Sequence, residues 1–255
     1  MQAPVIQLDL GSLLQLRESE LEEARTLQLS LLPNAPLCAN GTEFSSRFKA
    51  AAAVGGDFLD YFNLSDNRIG IYLGDVVGKG LSAAMYAALT VGTLRGIHKT
   101  GCPPMTVLST LNRRLRTRTV AGRYSAVQYA VYDPDSRELL YANAGLPRPI
   151  HFSGSTCCEV GQGGLPSGLF DDAQYDQYSV TLEPGDAILF LTDGLIEAHD
   201  REREEFGSAR VMEICREHIH SPSETLLTRL FAAVEEFSGN AAPQDDITAA
   251  LLRAS

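Results

Sequence analysis

Segments that read as strands come in blocks along this chain, separated by pairs of helical segments. That order restricts the fold more than any other feature. Residues 68–74 alternate as a strand, and 43–49 and 57–64 before them read as extended. Residues 123–132, 139–143, 149–152, 179–182 and 187–191 form a second block, and 247–252 a last strand. Helical patterns fall at 80–98 and 104–118, and again at 208–218 and 222–237. Pro134-Asp135-Ser136 and Glu183-Pro184-Gly185-Asp186 supply turn chemistry between neighbouring strands. A doubly wound parallel sheet would alternate strand and helix strictly. Blocks instead predict antiparallel sheets with helices outside them.

Ahead of these blocks, residues 12–32 read as one helix ended by Pro33, with Leu13, Leu16, Leu21, Ala24, Leu27 and Leu31 near one stripe. Such a helix either packs on its own domain, pairs with a second copy, or couples to an upstream sensor or activator. Residues 1–36 are therefore expected to form a regulatory or linking segment, and 37–255 the main domain. The net charge of −11 argues against nucleic-acid binding. No stretch approaches the roughly 18 apolar residues of a membrane span, and the first residues lack a basic end and a signal-peptide core. The five cysteines show no framework spacing. Reduced thiols and a cytoplasmic location are the expectation.

Four acidic turns carry the chemical signal. They are Gly55-Gly56-Asp57-Phe58 before a strand, Gly74-Asp75-Val76-Val77-Gly78-Lys79-Gly80 between a strand and a helix, Leu191-Thr192-Asp193-Gly194 after a strongly apolar strand, and Gln244-Asp245-Asp246-Ile247-Thr248 before the last strand. A single Asp-Gly is usually only a turn. Carboxylates at several strand ends, however, can converge on one end of a sheet, where they repel one another unless cations neutralise them. Hard oxygen donors with few histidines suit magnesium or manganese rather than zinc. Gly55-Gly56-Asp57-Phe58 partly matches the diguanylate cyclase signature but lacks the acidic residue between Asp and Phe. Gly74 to Gly80 is one residue short of a phosphate-binding loop and has Gly80, not Ser or Thr, after Lys79.

These turns, with Leu31-Leu32-Pro33, Ala142-Asn143-Ala144-Gly145, Gly164-Leu165-Pro166-Ser167-Gly168-Leu169 and Leu182-Glu183-Pro184-Gly185-Asp186, resemble the PPM-type metal-dependent serine/threonine protein phosphatases. The similarity is to the bacterial branch acting in partner-switching control of sigma factors and in sporulation. It extends from about Leu21 to Arg253. The resemblance implies an α+β fold, a four-layer α-β-β-α sandwich of two antiparallel sheets flanked by helices. It implies two divalent cations, Mn2+ or Mg2+. Asp75 would bridge both, Val76 would offer a backbone carbonyl, Asp57 would hold one cation, and Asp193 and Asp245 would complete the other. Asp246 is a lesser candidate ligand beside them. A metal-bridged hydroxide would then attack phosphorus directly, on a phosphorylated protein such as an anti-sigma-factor antagonist.

Two positions depart from the family pattern. Leu146 and Lys79 stand where histidine is common, so neither place supplies a histidine acid. Arg47 and Arg148 are the candidates for a phosphate-binding base. Two alternatives to a protein phosphatase are a catalytically decayed signalling or binding module of the same fold and a hydrolase of small phosphoesters. The intact Asp57, Asp75, Asp193 and Asp245 speak against decay.

Overall fold

The computed structural model describes residues 10–33, 35–39, 41–64, 67–98, 102–154, 156–239 and 243–254. The chain runs α1 (Leu10–Leu29), β1 (Leu37–Ala39), β2 (Thr42–Lys49), β3 (Phe58–Asn63), β4 (Ile69–Val76), α2 (Leu81–Ile97) and α3 (Pro104–Thr117). It continues through β5 (Ser125–Asp133), β6 (Glu138–Ala144), β7 (Ile150–Ser153), β8 (Thr156–Glu159), β9 (Gln177–Thr181) and β10 (Ala187–Leu191). The last elements are α4 (Asp193–Ile196), α5 (Gly207–His218), α6 (Ser223–Phe237) and β11 (Ile247–Ala254).

Two antiparallel sheets result. One has six strands in the order β1-β2-β11-β10-β7-β8, and the other five in the order β3-β4-β5-β6-β9. Residue alternation decides which layer each side chain enters. Ile69, Ile71 and Leu73 of β4 pack with Ile188 and Phe190 of β10 and Ala250 and Leu252 of β11 between the sheets. Tyr72 and Val76 of β4 turn the other way, onto Val91 and Leu94 of α2 and Leu108 and Leu111 of α3. Leu189 and Leu191 of β10 and Ala249 and Leu251 of β11 face Val211 of α5 and Leu227 and Leu230 of α6. Three apolar layers thus separate four structural layers, the α-β-β-α sandwich expected from the sequence. Covering both faces explains why β10 is apolar at every position and buried throughout.

The structure refines several boundaries. The first helix ends at Leu29, not Leu32. Ser30 to Leu32 tighten into turns whose amides bond Thr26, Gln28 and Leu29. The short strands β1 and β8 and the single turn of α4 have no counterpart in the sequence pattern, since three or four residues carry no period. The turn at Glu183–Asp186 forms as expected, with the Asp186 carboxylate accepting the Glu183 N–H at 3.0 Å. It joins β9 in one sheet to β10 in the other, so it is a corner of the sandwich and not a hairpin. Among the described residues no helix is long and apolar enough to cross a membrane.

Candidate metal centre and active site

Strand register brings the four acidic turns to one rim. In the β3–β4 pair Phe58 lies opposite Gly74, which brings Asp57 and Asp75 level at the strand ends. In the β10–β11 pair Leu191 lies opposite Ala249, and the Thr192 N–H donates to the Thr248 carbonyl at 3.0 Å. Asp193 and the Asp245-Asp246 pair follow at that same end. Asp57 ties the two sheets together there. Its Oδ2 accepts the hydroxyls of Thr192 at 2.8 Å and Thr248 at 2.5 Å.

This rim is electrostatically strained. Asp57 is 2% exposed. Burial, then the charges of Asp75 and Asp246, push its carboxyl well above the usual carboxylate range, against the pull of the two threonine hydroxyls. Asp75 is pushed up to about 7 by burial and by Asp193 and Asp245, while a hydrogen bond with Asp57 pulls it back. Burial first, and then Asp245, raise Asp193. Burial and the neighbouring Asp193, Glu205 and Asp245 raise Glu197. A folded chain that crowds carboxylates into one buried rim has left room for positive charge.

The local backbone is shaped for the same purpose. A Cβ on Gly56 would stand 2.6 Å from the Val76 carbonyl oxygen and 2.9 Å from Asp75 Oδ1. Glycine therefore keeps open the space in front of both groups. A Cβ on Gly55 would fall 1.8 Å from Asp246 Oδ2, because that carboxylate lies against the loop backbone. Asp246 Oδ1 accepts the Ala51 N–H at 2.8 Å, and its Oδ2 accepts those of Gly56 at 2.6 Å and Asp57 at 3.3 Å. The lesser ligand candidate Asp246 thus has a part in the loop itself. Both of its oxygens are engaged by backbone donors, so it builds the loop that presents Asp57.

The donor set suits hard divalent cations: Asp57, Asp75, Asp193, Asp245 and the Val76 carbonyl are all oxygen donors. Among the described residues no three acidic, histidine or cysteine side chains stand as a finished coordination shell. The fit is one of donor chemistry, charge and open space. A cation of the chain itself sits at the edge. Lys79 Nζ lies 3.5 Å from Asp245 Oδ2 and donates to the Gln244 carbonyl.

Other sequence candidates lie elsewhere. Arg47 donates to Thr228 Oγ1 at 2.8 Å and stacks over Phe231, on the α6 side of the six-stranded sheet. Arg148 pairs with Glu159 across β7 and β8. Neither joins the acidic rim. Leu146 is buried between the sheets, so its position cannot present an acid to the site. The Asn143 and Gly164 motifs are also structural. Asn143 bonds both the N–H and the carbonyl of Leu146, and a Cβ on Gly164 would strike the Asn143 carbonyl at 2.1 Å. Sequence reasoning missed the roles of Thr192 and Thr248. Their only sequence signal was a threonine beside an acidic turn on each of two strands, and it acquires meaning once the strands are paired. A cleft of about 140 Å³, lined by Lys49, Lys79, Glu197, His199, Gln244 and Asp245, opens beside Asp193 and Asp245.

Two antiparallel sheets sandwiched by helices, with carboxylates gathered on one rim, define a domain of the PP2C-like fold. The family described as "Stage II sporulation protein E (SpoIIE)" matches residues 65–255, and the chain belongs to that family. It is 26% identical over 238 residues to "Phosphoserine phosphatase RsbU" of Bacillus subtilis (strain 168), covering 92% of this chain and 70% of that protein. It is 24% identical over 221 residues to "Phosphoserine phosphatase RsbP" of the same organism, covering 85% of this chain and about half (53%) of that protein. Among solved structures, the SiaA-PP2C domain of Pseudomonas aeruginosa superposes with a TM-score of 0.86 at 23% identity, over 96% of this chain and 100% of that one.

Proposed function

We propose that this domain hydrolyses phosphoserine or phosphothreonine on a protein, with two divalent cations, Mn2+ or Mg2+, held by Asp57, Asp75, Asp193, Asp245 and the carbonyl of Val76. The observation that carries this reading is the meeting of four carboxylates from distant turns on one rim, three of them with raised pKa values. When bound, such a cation pair supplies an acidified water and neutralises charge on the phosphoryl oxygens. The chain's own residues do the rest. Thr192 and Thr248 fix Asp57, Asp246 fixes the loop before it, and Gly56 keeps the space before Asp75 clear. The mixed-charge cleft beside Asp245 would take the substrate segment flanking the phosphorylated residue. Cys157 and Cys215 lie in the helix-side core, where burial pushes their thiols up to about 11 and about 12.

The substrate we favour, on the resemblance to the partner-switching branch, is a phosphorylated anti-sigma-factor antagonist. The test is release of phosphate from a phosphoserine protein and from p-nitrophenyl phosphate, with Mn2+ and with chelator. Turnover should need the metal and vanish in Asp75→Asn without loss of fold. Turnover of small esters alone would make this a small-phosphoester hydrolase. No metal-dependent turnover of either would leave a binding module.

We further assign residues 1–36 to regulation and 37–255 to the phosphatase domain. The described part of α1 leaves Leu10, Leu13, Leu14 and Leu16 exposed, and α2 beside it exposes Leu81, Met85 and Leu89. A second copy of the chain is the occupant we favour for this face, and an upstream activator is the alternative. Light scattering on the full chain and on a Leu13→Ser/Leu16→Ser variant decides. A dimer lost in the variant supports self-pairing, and a monomer in both points to the activator.

A further inference from the structure

We infer that Gln28 is a positioning residue, through which the seating of α1 sets the loop that carries Asp57. This rests on the phosphatase reading of the site. Along the described α1 every other residue is exposed or half-buried, yet Gln28 is only 8% exposed. Its amide grips the backbone of one residue from both sides. Nε2 donates to the Gly55 carbonyl at 2.8 Å, and Oε1 accepts the Gly55 N–H at 3.0 Å. A glutamine amide has the donor and acceptor needed to mimic a strand's pairing edge.

Gly55 lies two residues before Asp57. The next two amides, of Gly56 and Asp57, are held by Asp246. The loop therefore has two anchors. Asp246 belongs to the strand core, beside β11, whereas Gln28 belongs to a helix outside both sheets. Packing around the second anchor is loose. A cavity of about 610 Å³ opens between α1, the loop at Ala52–Val54 and the start of α2. Another of about 450 Å³ separates Arg25 and Leu29 of α1 from Ala50, Ala52 and Ala53. With space on both sides, the paired bonds of Gln28 fasten helix to loop. A second fastening lies one turn on. Arg95 of α2 donates to the Leu31 carbonyl at 3.1 Å and to Asp60 of β3 at 2.7 Å. The exit of α1 is thus tied to residues on either side of Asp57. A shift of α1 relative to the sheets would pull on that loop first, ahead of the Asp193 and Asp245 turns, which are anchored in β10 and β11.

The experiment uses the full chain and two readouts that need no turnover: Mn2+ binding by calorimetry, and amide hydrogen exchange. In Gln28→Leu, Mn2+ should bind about tenfold more weakly, since two buried backbone groups lose their partners. Exchange should quicken at residues 50–58 and stay unchanged in β10 and β11. Excess Mn2+ should restore turnover, a rescue that a merely structural lesion would not show. Leu27→Ser, at an adjacent residue 69% exposed, should change neither readout. Gln28→Ala, which adds no bulk, replaces the leucine variant if that one fails to fold. Unchanged Mn2+ binding and exchange in the Gln28 variants would overturn the inference, and so would an equal effect from Leu27→Ser or faster exchange spread through β10 and β11. Because exchange is read without substrate, a failure here is distinguishable from a failure of the phosphatase reading.

Discussion

Replacing Thr248 by valine removes one hydroxyl and almost no volume. That hydroxyl donates to Asp57 Oδ2 at 2.5 Å. The backbone pairing of Thr248 with the Thr192 hydroxyl, at 3.0 Å, does not need the lost group. The loss should depend on the charge of Asp57. In the metal-free protein burial and the charges of Asp75 and Asp246 disfavour charge on Asp57, and a hydrogen bond to a neutral group contributes about 0.5–1.5 kcal/mol. If Asp57 holds a cation as proposed, it is an anion in that state, and a bond to a charged group contributes about 1.5–3 kcal/mol. For a domain of this size about 1 kcal/mol moves the melting temperature by about 2–4 °C. Thr248→Val should therefore melt about 2–4 °C lower in chelator and about 4–8 °C lower in saturating Mn2+. The difference of about 1 kcal/mol between the two conditions must appear as Mn2+ binding weakened about five- to tenfold. Paired thermal melts and calorimetry measure all three quantities. A loss no larger with Mn2+ than with chelator would refute the reasoning, because Asp57 would then gain no charge on binding.

Gly56→Ala should abolish Mn2+ binding more completely than it lowers stability, because the new methyl would sit 2.6 Å from the Val76 carbonyl oxygen and 2.9 Å from Asp75 Oδ1. Calorimetry showing normal binding in a folded Gly56→Ala protein would count against that space as the cation site. In chelator, stability should fall as pH rises from about 4 to about 7. Asp75 titrates near 7 when folded and in the ordinary carboxylate range when unfolded, so the folded chain binds more protons across that interval. The cost is absent below the unfolded value and complete above the folded one. Melts between pH 5 and 8 check this, and a profile that rises with pH would show the carboxylates to be neutralised by other means.

Much of the sandwich was legible because its signals are local. The bounds of β10 at 187–191 were read correctly, since a strand covered on both faces is apolar at every position and ends abruptly at its acidic turn. The helices on the outer faces were placed within a residue or two, α2 by its run of small apolar residues and α3, α5 and α6 by their amphipathic pattern. The stripe on the first helix misled in one respect. Leu13, Leu16 and Leu27 belong to it, yet they are exposed, and the buried residue is the polar Gln28. Burial of an amide that satisfies a backbone leaves no hydrophobic mark in the sequence.

By itself the sequence determined the strand and helix blocks and the acidic turns with their carboxylates. These follow from residue type and short spacing. Only the tertiary structure decided that β9 and β10 belong to different sheets, that Thr192 and Thr248 both reach Asp57, and that Asp246 serves the loop. Each of these depends on register between strands far apart in the chain. Hydrogen bonds across 135 and 191 residues have no signature along the chain, because distance and direction between such groups exist only after the sheets have packed.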